Sequence, residues 1–199
     1  MKAQEILESE DFKRCADFHG HICPGLSIGY QAAKACMEAI KETRPKDEEV
    51  VAIVETDACS ADAVQVLTGC TFGKGNFFYK DYGKMALTLI SRNSGKGVRV
   101  SARPNLFAPN QEHAKLLAKI RKGEADDQET KKFKQLHFQK TCDILEKSYE
   151  ELFIIKKISD KPPLKAKVEQ SEICDKCGEA TMSSKLLDVG GRKICRACV

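Results

Sequence analysis

No run of about 18 consecutive apolar residues occurs in this sequence, which excludes a membrane-spanning helix of ordinary length. No block of one charge occurs either. The 33 Lys and Arg are mixed with 29 Asp and Glu along the chain, for a net +4, and so mild a balance does not demand a nucleic-acid partner. No leader is expected either: Met1-Lys2-Ala3-Gln4-Glu5 reads as the opening of a charged helix, without the basic and then apolar pattern of a secretory signal. These absences predict a soluble, cytoplasmic chain with no membrane contact. A phosphate loop is also excluded. Gly69-Cys70-Thr71-Phe72-Gly73-Lys74-Gly75-Asn76 is glycine-rich, but three residues separate Gly69 from Gly73-Lys74, and Gly75 stands where the hydroxyl residue belongs. The stretch reads instead as a tight loop carrying Cys70 or Lys74 toward a site.

What the sequence does have is cysteine, ten residues in all. Their grouping argues for metal rather than disulfides. Cys174-Asp175-Lys176-Cys177 and Cys195-Arg196-Ala197-Cys198 are Cys-x2-Cys pairs with 17 residues between them, the spacing of a structural tetrahedral zinc site. Four thiolates leave no open coordination position, so this module is not catalytic. Its apolar content is small, and the metal must supply most of its folding free energy. Gly190-Gly191 marks a hairpin turn, and a ribbon or truncated finger is expected. Arg192, Lys193 and Arg196 keep nucleic-acid binding as a weak alternative, but no aromatic residues are interleaved with them for base stacking. Cys15, Cys36 and Cys142 fall on helical patterns and read as packed thiols.

A second concentration of ligand-type residues lies in Phe18-His19-Gly20-His21-Ile22-Cys23-Pro24-Gly25. In an extended segment, side chains two apart share a face, so His19, His21 and Cys23 can converge on one ion. Pro24 suits the first turn of a helix, which places Cys23 at a helix N-terminus, where the dipole favours a thiolate. One short segment rarely completes a site, and a fourth group must come from elsewhere. Cys59 is a candidate, at the end of the β-branched run Val50–Thr56 and near the start of a helix capped by Asp57.

Taken in order, the patterns predict helices over about Gln4–Phe18 and Pro24–Glu42, a central strand over Val50–Thr56, and a helix over Asp57–Leu67. Short strands follow at Phe77–Lys80, Lys84–Ile90 and Gly97–Ser101, whose short links favour antiparallel pairing. Two further helices run from Pro109 to about Arg121 and from about Asp126 to Leu152, and Phe153–Ile158 adds a last strand. His113 and His137 sit on these helices among charged residues and read as solvated. The core is expected to span residues 1–160, a linker stiffened by Pro162-Pro163 spans 161–170, and the zinc ribbon spans 171–199.

Three blocks together resemble the E subunit of formylmethanofuran dehydrogenase and its archaeal and bacterial relatives. They are Phe18–Gly25, Asp57-Ala58-Cys59-Ser60-Ala61-Asp62-Ala63-Val64-Gln65 and Leu67–Asn76, within a similarity covering about residues 10–155. The resemblance implies an α+β fold with a mostly antiparallel sheet packed with helices, commonly a homodimer, with a metal near the His/Cys block. The zinc ribbon is an addition found in some relatives. The resemblance also implies association with molybdenum or tungsten oxidoreductase subunits that form formylmethanofuran. It makes His21, Cys23 and Cys59 the first-choice core ligands, with His19 and Cys70 next. That donor set suits Zn2+, with Fe or Ni as alternatives. Cys23 and Cys59 are then the reactive thiols, and Asp62, one turn beyond Cys59, either orients an imidazole or acts as a general base. The chain carries no iron–sulfur cysteine run. Three functions follow: a metalloprotein acting on a small molecule, a non-catalytic accessory subunit of a larger oxidoreductase, and, more weakly, a nucleic-acid-binding regulator.

Overall fold

The computed structural model describes residues 2–107 and 110–199, with the side chains of residues 105 and 107 outside the description. The chain divides into two compact units, Met1–Lys165 and Ala166–Val199. The first is α+β, as expected.

Several of its helices begin where a Ser, Asn or Asp side chain caps them. The first predicted helix is interrupted, because Ser9 leaves helical geometry and accepts a hydrogen bond from the Phe12 amide (3.3 Å). The result is α1 (Ala3–Leu7) and α2 (Glu10–His19). The long helix expected up to Leu152 breaks for the same reason. α6 (Asp127–Glu146) ends at Lys147, and Ser148 with Glu151 forms a capping box for α7 (Tyr149–Leu152). α5 (Gln111–Lys122) starts after Asn110, whose side chain accepts from the His113 amide, and the expected start at Pro109 lies outside the described residues.

α3 (Pro24–Ile40) is the buried centre of the unit: most of its residues are inaccessible, among them Leu26, Ile28, Ala33 and Cys36. It lies against the sheet, and α2, α4 (Ser60–Thr68) and α6 pack around it. Its run of small and aliphatic residues supplies the apolar surface this burial needs, and Lys34, Glu38 and Ala39 carry the accessible side. Its one long polar side chain in the core, Gln31, is satisfied by donating to the Leu145 carbonyl at 2.8 Å.

The sheet has the order β2-β1-β3-β4-β5, made from β1 (Val50–Val54), β2 (Phe77–Tyr79), β3 (Ala86–Ser91), β4 (Gly97–Ala102) and β5 (Phe153–Ile158). Three of its four pairings are antiparallel. The exception corrects the expected pairing. β2 runs parallel to β1, with Ala52 opposite Phe77, because α4 carries the chain across and returns it in the same direction. β3 pairs with the other edge of β1, so β2 and β3 are not partners. Just past β1, Glu55 accepts from Arg99 through both carboxylate oxygens, at 2.7 and 2.9 Å. The Arg99 guanidinium holds this carboxyl below the usual range. β2 and β5 are the outer strands. On β5, Ile154, Ile155, Lys156 and Lys157 are all exposed.

The second unit consists of two hairpins, β6 (Ser171–Ile173) with β7 (Ala180–Met182) and β8 (Leu186–Val189) with β9 (Arg192–Cys195). The second turns at Gly190-Gly191 as expected, both glycines having positive φ. No described helix is long and apolar enough to cross a membrane.

Candidate metal centres

In the first unit, α2 ends at His19, and Gly20 follows in the left-handed region (φ +87°), donating its amide to the Ala16 carbonyl. Cys23 then takes the N-cap of α3, with Pro24 behind it. The segment therefore turns at Gly20 between two helices and is not a strand, although Cys23 itself has extended backbone. This local reversal still gathers His19, His21 and Cys23, with one donor atom from each lying within 4.8 Å of the others. His19 Nε2 lies 3.8 Å from Cys23 Sγ, and the two imidazole rings are 4.4 Å apart.

Asp62, on the first turn of α4, accepts from His19 Nδ1 at 2.7 Å. With Nδ1 held by the carboxylate, Nε2 faces the thiol. This is how a carboxylate fixes the tautomer and aim of a ligating imidazole. Of the two roles read for Asp62, the geometry supplies the orienting one.

Cys59 enters from the other side. It is itself the N-cap of α4, displacing the expected Asp57, which lies exposed two residues upstream. A β-carbon on Gly25 would stand 3.1 Å from Cys59 Cβ, 3.5 Å from its Sγ and 3.9 Å from Cys23 Sγ. The two thiols thus share the space above Gly25. One turn along α3, a β-carbon on Gly29 would stand 2.3 Å from the Ser60 carbonyl oxygen. Only glycine permits that approach of backbones, and it is what seats α4, and Cys59 with it, on α3.

The expected thiolate at Cys23 needs correcting. The Leu26 amide points at Sγ from 3.4 Å and pulls the thiol down, but burial pushes it up more strongly, and the adjacent Cys59 adds to the rise. A cation between the rings and the sulfur would invert this balance.

Cys70 is not brought to the group. It is buried at the opposite end of β1, where its thiol donates to the Val50 carbonyl (3.3 Å), whereas Cys59 follows the exit of that strand. Its loop is anchored there too. The Asn76 side chain donates to the same carbonyl and accepts from the Thr71 amide, and Lys74 Nζ reaches the Asp47 carbonyl.

Sequence reasoning missed the other two histidines. His113 and His137 are half-buried, and they face one another across α5 and α6 at 3.0 Å. A signal was available: Phe133, Leu136, His137, Lys140 and Ile144 recur at helical spacing and form the inward stripe of α6.

In the second unit, donor atoms of Cys174, Cys177, Cys195 and Cys198 also lie within 4.8 Å of one another. Cys174-x2-Cys177 ends in Gly178 (φ +77°), and the amides of Cys195, Cys177 and Lys176 pull the Cys174 thiol down to about 6. Of the three basic residues read as nucleic-acid contacts, Arg192 donates to the Asp175 carbonyl and Lys193 pairs with Glu172. Both groups of donors can hold metal ions.

A family model described as FmdE, molybdenum formylmethanofuran dehydrogenase operon, matches residues 18–154. A probable S-adenosyl-L-methionine-binding protein of Archaeoglobus fulgidus is 33% identical over 182 residues, 88% of this chain and 50% of that protein. The chain thus spans about half the length of the curated relative it matches. The crystal structure of an FmdE-like protein of the tungsten formylmethanofuran dehydrogenase type, from Syntrophus aciditrophicus, is similar in fold, with a TM-score of 0.62 and 24% identity. The match covers 99% of this chain and 91% of that one.

Proposed function

Because this chain belongs to the FmdE family, we propose that it is a metalloprotein with two centres of different purpose. A zinc ion on Cys174, Cys177, Cys195 and Cys198 holds the small unit together. A second ion, on His19, His21 and Cys23 with Cys59 alongside, supports metal-assisted or redox chemistry on a small molecule. The observation that carries this reading is the convergence of two imidazoles and a thiol within 4.8 Å, one of them already aimed by Asp62. Imidazole with thiolate suits zinc, with iron and nickel as the alternatives. When bound, the ion would supply Lewis acidity at a position facing solvent, since His21 is exposed. The chain's own contribution is to orient His19 through Asp62, to hold Cys23 at a helix start, and to keep the Cys59 thiol beside it. The four-cysteine site, by contrast, leaves no position open.

A second reading is an accessory subunit that docks on a molybdenum or tungsten oxidoreductase. It is favoured by the family's tie to a molybdenum formylmethanofuran dehydrogenase operon and by the exposure of Phe18 and Ile22 beside the centre. Metal content per chain, by plasma mass spectrometry, tests the core centre common to both readings. Two ions are expected in the wild type, one in Cys23→Ala, and two in Cys70→Ala, whose thiol lies at the other end of β1. A single ion in the wild type, with the ribbon cysteines intact, would overturn the core centre.

A further inference from the structure

The first unit holds Cys15, Cys23, Cys36, Cys59, Cys70 and Cys142, and the fold treats them differently. Cys15 and Cys36 are buried in the core, Cys70 is held at the far end of β1, and Cys142 is half-buried on α6. Cys23 and Cys59 are set beside one another. Each is the N-cap of its helix, Cys23 of α3 and Cys59 of α4, and the close approach of Gly29 to Ser60 seats one helix on the other. The two caps are therefore fixed by the same packing. Gly25 lies against both, and a β-carbon added there would stand 3.5 Å from Cys59 Sγ and 3.9 Å from Cys23 Sγ. Both sulfurs border one gap, with hydrogen where any other residue puts carbon. They differ in access, since Cys59 is half-buried and Cys23 is 4% exposed.

Two thiols that border one gap can face a common ion or bond to each other. We propose that Cys23 and Cys59 are a reversible disulfide pair, oxidised by a peroxide, and that closing the bond displaces the ion from the His19, His21 and Cys23 centre. The displacement rests on the core centre proposed above; the disulfide does not.

The more accessible Cys59 sulfur attacks the peroxide. An S–O bond forms, the O–O bond breaks, and the thiol proton leaves with the departing oxygen as water or an alcohol. Cys23 Sγ then attacks the oxidised sulfur: the S–S bond forms, the S–O bond breaks, and the hydroxide leaves with the Cys23 proton as water. The pair has given up two electrons and two protons, and the peroxide has taken them. A disulfide sulfur is no longer the thiolate that ligates a metal. Of the donor group, His19 and His21 alone remain.

The test treats the full-length chain, with zinc in its four-cysteine unit, with one equivalent of hydrogen peroxide. Non-reducing peptide mapping reads the disulfides, and plasma mass spectrometry reads the metal. Wild type should yield the Cys23 to Cys59 link and lose its core ion, then regain it when a phosphine reductant and zinc are added. Cys23→Ala, which carries the four-cysteine zinc alone, measures what the same dose removes from that unit. Gly25→Ala sets a methyl group against both sulfurs and should form the link about tenfold more slowly, because small misplacements of reacting atoms cost at least that much. Should that variant fail to fold, Cys59→Ser cannot form the link and should keep its core ion under the same dose. A map without the link would overturn the proposal, as would a link that forms while the core ion stays, or a Cys59→Ser chain that loses the ion as readily as wild type. A chain that carries no core ion and still forms the link supports the disulfide and overturns the metal centre, so the two readings fail separately.

Discussion

Asp62 is where the core centre is most sharply testable, because it touches His19 without being a donor of the His19, His21 and Cys23 group. Asp62→Ala removes the acceptor at His19 Nδ1 (2.7 Å) and frees the ring to rotate or to take up the other neutral tautomer. Loss of such an orienting partner weakens metal binding by about 10- to 100-fold, or ~1.4–2.7 kcal/mol. The His19 side chain is 11% exposed but Asp62 is 35% exposed, so solvent already screens part of the carboxylate charge. The lower end applies, about tenfold. Asp62→Asn keeps an oxygen that can accept from Nδ1 and loses only the charge, so it should fall between wild type and Asp62→Ala. Competition with a chromogenic chelator reads both variants, and the ion in the four-cysteine unit serves as the internal reference. Affinity in Asp62→Ala within twofold of wild type would refute the orienting role. An equal loss from the four-cysteine unit would refute it as well, by showing general unfolding.

Two further outcomes follow from the packing. Gly29→Ala sets a methyl group 2.3 Å from the Ser60 carbonyl oxygen, so α3 and α4 must part. Urea unfolding should show a loss of about 1–3 kcal/mol, with weaker core metal binding because Cys59 shifts with Ser60, and an unchanged midpoint would show that the contact is not rigid. The Glu55 carboxyl, held low by Arg99, contributes stability above the unfolded carboxylate range and loses it as pH falls through the depressed folded value. The wild-type urea midpoint should therefore drop more steeply than that of Glu55→Gln between about pH 5 and pH 3; parallel curves would refute the pairing as a source of stability.

The parts of the molecule legible in the sequence are those governed by near neighbours. The two Cys-x2-Cys pairs, the Gly190-Gly191 turn and the apolar run of β1 each carry their own geometry. So does the His19 to Cys23 block as a set of donor types. Its shape is less legible, because the pattern of alternate residues suggests a strand, while α2 keeps its helix to His19 and Gly20 supplies the reversal. Strand partners are harder still: nothing in Phe77–Tyr79 says that it lies parallel to β1, since that depends on where α4 sets the chain down. Cys70 and Cys59 look alike as cysteines near glycine and helix ends. They are separated by the length of β1, which only the sheet reveals. The pairing of His113 with His137 depends on α5 lying against α6, a tertiary event with only the stripe on α6 to hint at it.

The outer strands of the sheet bear on how the protein behaves when crowded. An unpaired strand edge is a template on which another chain can add, and both edges here are poor templates. β2 offers only three residues. β5 is longer and exposes Ile154 and Ile155, but Lys156 and Lys157 follow at once, and a strand laid along it would have to bury or face those ammonium groups. Replacing the two lysines with apolar residues would leave the fold of a single chain intact and convert a guarded border into an aggregation surface.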